Sequence, residues 1–345
     1  MGLGRKLAAG ALALALVVAG LYATGVVGTP SAGVADVGDW GEVTESETEI
    51  MTTLWVNNPN PVGASVDDVR ADYRVAMNDV TVAEGTKGGV EIAPGNNTVE
   101  LRTYVRNERL RDWWVAYVRA DETIRMRATG TVTVGTPLGD TEVRLPAQRR
   151  TMLEDRTPVI SALSEAARDL EGTYTRGVAL GGQEVNAGYE IRNADARWGS
   201  VNRSETVVIV SYDVHNPGDV PVPAVPDGVR ADVSMNDVDM FSGGTGAASP
   251  RDVATDALIE PGETRTVSLA IRMDNGNVDD WFRSHVRNGE RTDVDVRLRL
   301  RFTSERLGTT FDVPEVGPAV VDCDLQTAIL VDDQTTSTSC GPTGP

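Results

Sequence analysis

The sequence predicts an all-β protein: two antiparallel β-sandwiches in tandem, each carrying one short helix, behind an N-terminal transmembrane helix. Three observations carry that expectation. The first 30 or so residues contain one long apolar run. The rest of the chain is rich in short segments that alternate apolar and polar side chains. One half of the chain repeats the other. With 345 residues there is material for two domains of ordinary size, each with its own core.

The N-terminal element comes first. Arg5 and Lys6 precede an apolar run from Leu7 to about Val27. A run of about 20 apolar residues is long enough to span a bilayer. The basic pair ahead of it predicts that the N-terminus stays inside and the remainder is exported. Residues 1–32 are therefore expected to anchor a single-pass cell-membrane protein whose C-terminal domains are extracytoplasmic. The alternative is a cleaved signal segment, with small residues such as Ala23 and Gly25 near the cut. No later run is long and apolar enough to span.

The repeat emerges when the halves are slid past each other. At an offset of 158, Trp40-Gly41 falls on Trp198-Gly199, and Ser46-Glu47-Thr48 on Ser204-Glu205-Thr206. Asn58-Pro59 falls on Asn216-Pro217, and Met77-Asn78-Asp79 on Met235-Asn236-Asp237. Further on, the offset becomes 168, where Asp112-Trp113 meets Asp280-Trp281 and Val118-Arg119 meets Val286-Arg287. Ordered matches that include tryptophans and Asn-Pro pairs imply a tandem duplication, with residues 33–153 and 189–320 as the two sandwiches.

Within each copy the strands follow from alternation. The segment VDVRLRLRF, residues 294–302, places apolar side chains on one face only, as a half-buried strand requires. IAPGNNT and IEPGET read as Pro-Gly turns between strands. About seven short strands per copy point to a sandwich. One segment has a different period. Leu110, Trp113, Trp114, Tyr117 and Val118 follow the spacing of a helical face, and Val278, Trp281, Phe282, His285 and Val286 hold the matching places. Asn288-Gly289 suits the end of that second helix. Between the copies, residues 154–188 are expected to hold a helix from Thr157 to Glu171, with Pro158 in its first turn, and then a Gly-rich linker. The tail, residues 321–345, reads as disordered.

Composition narrows the function. The net charge is −19, and of 32 basic residues only Lys6 and Lys87 are lysines. Nucleic acid is excluded as a partner, because phosphate binding requires a basic face. Disorder is opposed by 40% hydrophobic residues arranged with regular periods. Adaptation to high salt fits best and implies a halophilic archaeon as the source. At about 1 M salt the Debye length is roughly 3 Å, so crowded carboxylates barely repel each other. They keep the surface hydrated and the protein soluble. The two cysteines, Cys323 and Cys340, are a candidate disulfide in an exported chain. Asn96 and Asn202 stand in Asn-x-Ser/Thr acceptor sequences for glycosylation.

The Asn-Pro pairs have a local reading. Proline cannot donate to a ladder, so it ends or bends a strand. The residue before it is pushed to extended geometry, and an Asn there can bond nearby backbone. A bend that shapes the sandwich is the plainer reading, and contact with a ligand the sharper one. A strand ending in Asn-Pro, a polar turn of the Met-Asn-Asp type, a Pro-Gly turn and a small helix before the final strands together resemble the late embryogenesis abundant type 2 family. Its domain is also called the water stress and hypersensitive response domain. The resemblance spans about residues 34–150 and 190–320, and Asn58, Pro59, Asn216 and Pro217 are its most specific residues. It implies an immunoglobulin- or fibronectin-like sandwich, no enzymatic activity, no cofactor, and a link to desiccation or osmotic stress. It also admits lipid as a partner at the membrane. Copy two departs from the pattern in an inserted loop, Gly243 to Thr255, and a Pro-rich stretch, Gly218 to Pro226.

No catalytic constellation is legible. His285 replaces Tyr117 on an apolar helix face and reads as a packed histidine, while His215 has no readable nucleophile beside it. Gly181-Gly182 lacks the residues of a phosphate loop. Asp274 to Asp280 has neither the spacing nor the terminal Glu of a calcium loop, and no metal site is expected. The aromatic stripe of Trp113, Trp114 and Tyr117, with Trp281 and Phe282 in copy two, is core or the lining of a ligand groove. Three functions compete: support of water-stress tolerance, binding of lipid or another hydrophobic ligand, and a structural or adhesive role in the cell envelope.

Overall fold

The computed structural model describes residues 31–59, 61, 64–136, 139–144, 147–152, 158–243, 248–251, 254, 256–328 and 336–342. The expected N-terminal transmembrane helix lies outside them. Among the described residues no helix is long and apolar enough to cross a membrane. The chain divides into two compact units. One is Met1–Asp155 with Phe282–Glu290 and Thr327–Thr336; the other is Arg156–Trp281 with Arg291–Gln326 and Ser337–Pro345.

The first unit is antiparallel β-structure with one helix. Strands β1 (Ser31–Val43), β2 (Glu47–Asn58), β3 (Ala64–Met77), β4 (Val80–Ile92) and β5 (Gly95–Arg106) come first. A short 3-10 turn, Asn107–Arg109, leads into helix α1 (Leu110–Arg119). Strands β6 (Ile124–Thr136), β7 (Gly139–Arg144) and β8 (Gln148–Met152) follow. The order is β1-β2-β5-β4-β3-β6-β7, with β8 also on β6. Asn78 and Asp79 both take positive φ, 48° and 65°, which gives the tight hairpin joining β3 to β4. β4 pairs with β3 along its length, but among the described residues its ladder with β5 is the single pair Ala83 and Val105. The sheet therefore splits there into two halves. Tyr73 of β3 ties them by donating its hydroxyl to the Arg102 carbonyl of β5 at 2.7 Å. Gly85 and Gly130 stand opposite Tyr73 on both neighbouring strands, and a side chain at Gly85 would collide with its phenol.

The second unit begins with helix α2 (Pro158–Arg168). Strands β9 (Gly172–Leu180), β10 (Gln183–Val201), β11 (Glu205–His215), β12 (Val222–Pro223), β13 (Gly228–Met235), β14 (Val238–Gly243), β15 (Ala248–Arg251), β16 (Leu258–Ile259) and β17 (Thr264–Asp274) follow. A second 3-10 turn, Asn275–Asn277, opens helix α3 (Val278–Arg287), whose residues from Phe282 onward are grouped with the first unit. The chain closes with β18 (Arg291–Ser304), β19 (Thr309–Val313), β20 (Ala319–Gln326) and β21 (Ser337–Pro342). One sheet runs β15-β17-β11-β10-β9 and the other β14-β13-β18-β20-β21, with β19 on β18. β18 shows why they stack: every second residue from Thr292 to Ser304 is buried. Tyr189 of β10 stacks on Phe302 of β18 at 4.3 Å and meets Phe311 of β19 edge-on at 5.2 Å, joining the sheets face to face. Helix α2 buries Val159, Ala162, Leu163, Ala166 and Ala167 against β10, β18 and β20.

The two units share one strand plan. β1-β2-β5 in the first corresponds to β10-β11-β17 in the second, and β4-β3-β6 to β14-β13-β18. The long β4 has its counterpart in two strands, β14 in one sheet and β15 in the other. β15 itself falls within the inserted stretch, Gly243 to Thr255.

Two sequence expectations need correction. Residues 172–188 are not a linker: β9 and β10 form a hairpin around Gly181 and Gly182, whose φ values are 60° and 84°. Glycine here serves close approach rather than flexibility, since a Cβ at Gly188 would sit 2.7 Å from the Thr175 Cα. Nor is the tail disordered throughout. β20 buries Val321, Cys323 and Leu325, and β21 pairs with it, carrying Cys340 opposite Cys323 in a disulfide. The short polar residues of β21 mask an edge strand that needs only its backbone and one covalent tie.

Candidate functional site

The Asn-Pro pairs sit at strand ends, and in the second unit the chemistry is complete. Asn216 is wholly buried. Its Nδ2 donates to the Val220 and Ile259 carbonyls, both at 2.9 Å, and its Oδ1 accepts from Gly218 N at 2.9 Å. The backbone N–H of Asn216 donates to the Glu263 carbonyl and its own carbonyl accepts from Gly262. Every polar atom of the residue is used inside the fold. Pro217 then ends β11 with no donor to spare. Gly218 is required, because a Cβ there would press to 2.6 Å from the Asn186 carbonyl oxygen. Asn58 is buried likewise and stands opposite Gly95, with Pro59 exposed after it. Asn216 is thus an internal clamp, the plainer of the two readings.

Two further asparagine clamps recur in both units, and the sequence reading did not single out their role. Asn107 accepts from Thr48 Oγ1 at 3.1 Å and donates to the Thr44 and Glu45 carbonyls. Asn275 accepts from Thr206 at 2.8 Å and donates to the Asn202 carbonyl. Asn78 donates to the Thr123 carbonyl and accepts from Arg125 N, while Asn236 donates to the Arg291 carbonyl and accepts from Asp293 N. Each unit is pinned where the helix meets the sheet. The aligned Thr48 and Thr206 were the only signal for the 3-10 turn clamp.

A second missed feature is a wholly buried glutamate after each helix, Glu122 and Glu290, both at positive φ (60° and 54°). Tyr117 donates its hydroxyl to Glu122 Oε2 at 3.1 Å. Burial first, then the adjacent carboxylate, holds the Tyr117 phenol well above its usual value. At Glu290 the donor is Thr327 Oγ1, at 2.7 Å, and His285 Nε2 lies 3.0 Å from the same hydroxyl. A hydroxyl, an imidazole and a carboxylate together invite comparison with a nucleophilic triad. The order differs: the hydroxyl bridges ring and carboxylate, whereas a triad needs the ring in the middle. All three are buried, so no substrate approaches.

The candidate groove residues are packed core. Trp113, Trp114, Tyr117, Trp281 and Phe282 are each no more than 5% exposed. Trp113 and Trp114 lie 5.4 Å and 5.5 Å from Tyr117, and within the first unit Trp113 meets Phe282 edge-on at 6.0 Å. Trp281 Nε1 donates to Thr292 Oγ1 at 3.0 Å. His215 meets Thr264 at 3.0 Å. The Asp274–Asp280 stretch is a helix start: Asp274 Oδ1 accepts from Gly276 N. Among the described residues no three potential ligands gather around a metal site.

Described residues also line two surface clefts. In the first unit a cleft of about 810 Å³ crosses β3, β4 and β6, floored by Gly85, Tyr73 and Gly130 and walled by Asp72, Arg74 and Glu84. In the second unit a cleft of about 630 Å³ lies between β18, β20 and β21. There Asp293 faces Asp324 and Asp295 faces Asp322, directly across the strands. Burial raises Asp295 above the ordinary carboxylate range, and Asp322 and Asp232 add to it, while Arg297 opposes them. Arg297 holds Asp295 at 2.8 Å and Arg291 holds Asp324 at 3.4 Å.

Residues 53–149 match the family described as late embryogenesis abundant protein. The match lies within the first repeat, and the second lies outside it. No curated protein matches. Among solved structures, the chain is similar to a protein from Archaeoglobus fulgidus at 25% identity, covering 36% of this chain and 94% of that one, with a TM-score of 0.29. It is also similar to a protein of Arabidopsis thaliana at 15% identity, covering 34% and 80%, with a TM-score of 0.25. The matched segment, less than half of the chain, carries the Asn58-Pro59 strand end, the Met77-Asn78-Asp79 turn and helix α1, and over that segment the chain is similar to the late embryogenesis abundant family.

Proposed function

We propose that the chain is a non-catalytic, membrane-anchored, exported protein that supports tolerance to drying and osmotic stress. The family match over residues 53–149 carries this reading. Three features support it. The second unit repeats the strand plan of the first, as a duplicated domain would. The candidate aromatic and histidine positions are spent on packing and internal hydrogen bonds, which leaves the surface as the working part. That surface bears most of a net charge of −19, with basic groups that are almost all arginine. Carboxylates in such number hold water and hydrated cations close to the membrane. A disulfide in β20 and β21 suits an oxidising exterior. The deciding test is deletion of residues 33–345 in the native host, leaving the anchor. The expected result is a several-fold loss of survival after drying or salt shock. Survival equal to the parent would refute the reading.

A further inference from the structure

β2 and β5 pair along their whole length, with Trp55 opposite Thr98 and Asn57 opposite Asn96. Strand alternation puts these four residues on one face. It is the outer face: Trp55 is 42% exposed, and Asn96 and Thr98 are exposed beside it, while Asn58 and Val99 on the other face are buried. Asn57 Nδ2 donates to Asn96 Oδ1 at 2.6 Å. That bond fixes the Asn96 amide with its oxygen toward β2, and its Nδ2 has no partner among the described residues. Asn97, between the two exposed positions, is held down. It accepts from Ala93 N and donates to the Ala93 and Gly95 carbonyls. Among the described residues the one ladder pair between β4 and β5 is Ala83 with Val105, so β5 has no ladder partner on that side at Asn96.

From this geometry we infer that Asn96 is N-glycosylated in the exported protein and that its first sugar ring lies on the Trp55 indole. The inference rests on the exported reading above. The donor is a saccharide linked to a lipid through phosphate. The Asn96 Nδ2 bonds to the anomeric carbon as the bond from that carbon to the phosphate oxygen breaks. The phosphate leaves on the lipid, and the amide proton passes to base. No oxidant or reductant is needed. Asn96 and Trp55 are diagonal neighbours, about 7–8 Å apart on a sheet, a span one pyranose ring covers. The apolar face of the sugar then shields an indole otherwise left in water.

The other acceptor sequence is put to a different use. Asn202 Oδ1 accepts from Ser204 N, Ser204 Oγ and Glu205 N, at 2.8, 2.8 and 3.0 Å, closing the turn between β10 and β11. The Ser204 hydroxyl that the acceptor pattern requires already serves that turn, so the assignment is to Asn96 alone.

The test is peptide mapping by mass spectrometry of the full chain from its own host, with protease treatment of intact cells in parallel. The expected result is a saccharide mass on the peptide containing Asn96, lost in Asn96→Gln and retained in Asn202→Gln. Stripping the glycan should lower Tm by about 2–4 °C in the parent. Trp55→Ala should keep the added mass and lose that Tm difference. An unmodified Asn96 in protein that external protease cuts overturns the glycan and leaves export standing. Protein that the protease cannot reach overturns both. Equal Tm loss with and without Trp55 overturns the stacking.

Discussion

At the residue scale, the repeated asparagines explain more of this fold than any charged group. Asn216 satisfies three backbone groups, the Gly218 N–H and the Val220 and Ile259 carbonyls. Asn216→Ala leaves them buried without partners, at about 1–3 kcal/mol for each group left unsatisfied. Chemical denaturation should therefore show a loss of roughly 3 kcal/mol or more. Asn58-Pro59 and Asn216-Pro217 were visible in the sequence because Pro marks strand ends. Asn107 and Asn275 were not, since an Asn beside a helix start resembles any surface residue until the fold brings Thr48 or Thr206 to it. Glu122 and Glu290 were hidden for the same reason: in an acidic chain, two buried glutamates among 51 carboxylates carry no mark. Asp213 gives a pH prediction. Hydrogen bonds from Asn193 and then Thr266 hold its carboxyl below the ordinary range. A lowered folded value contributes stability above the unfolded pKa of about 3.9 and loses it as pH falls through the folded value. Asn193→Ala should move the acid-unfolding midpoint to higher pH, as followed by circular dichroism.

At the scale of elements, the strands carry their charges in pairs two residues apart. Glu190 with Arg192, Arg230 with Asp232, and Asp295 with Arg297 each share one strand face, and Glu263 pairs with Arg265 at the same spacing where β17 begins. Period two makes such pairs neighbours. Arginine suits this role because its planar fork matches a carboxylate. The aspartates facing one another on β18 and β20 work the other way, because like charges directly opposite are unfavourable. Asp322→Asn should stabilise the second unit by about 0.5 kcal/mol in dilute buffer, and the gain should shrink at about 1 M salt. The raised Asp295 sets the sign with pH. The folded state holds the proton more tightly, so this contribution to stability grows as pH falls through the folded value and weakens as pH rises. The alternation of VDVRLRLRF gave β18 away, and the stripe of aromatics gave both helices. β21 escaped because Ser337 to Pro342 has no apolar face, and the β9–β10 hairpin escaped because its glycines look like slack chain.

At the scale of the molecule, a chain of net charge −19 is built on strands whose cores are ordinary Val, Ile, Leu and aromatic packing. Thermal melting in 0.1 M and 2 M salt should show a clearly higher Tm in the concentrated solution, since repulsion among exposed carboxylates is screened. An unchanged Tm would separate the acidic surface from any adaptation to salt. The central claim is that this surface, rather than a pocket, performs the function. The most direct measurement is survival of drying by a host that lacks the chain and is supplied either with the parent or with a variant. In the variant, exposed Asp and Glu of both units are replaced by Asn and Gln. The account predicts that both proteins fold and reach the cell surface, and that only the parent restores survival. Equal rescue by the neutralised variant would contradict it.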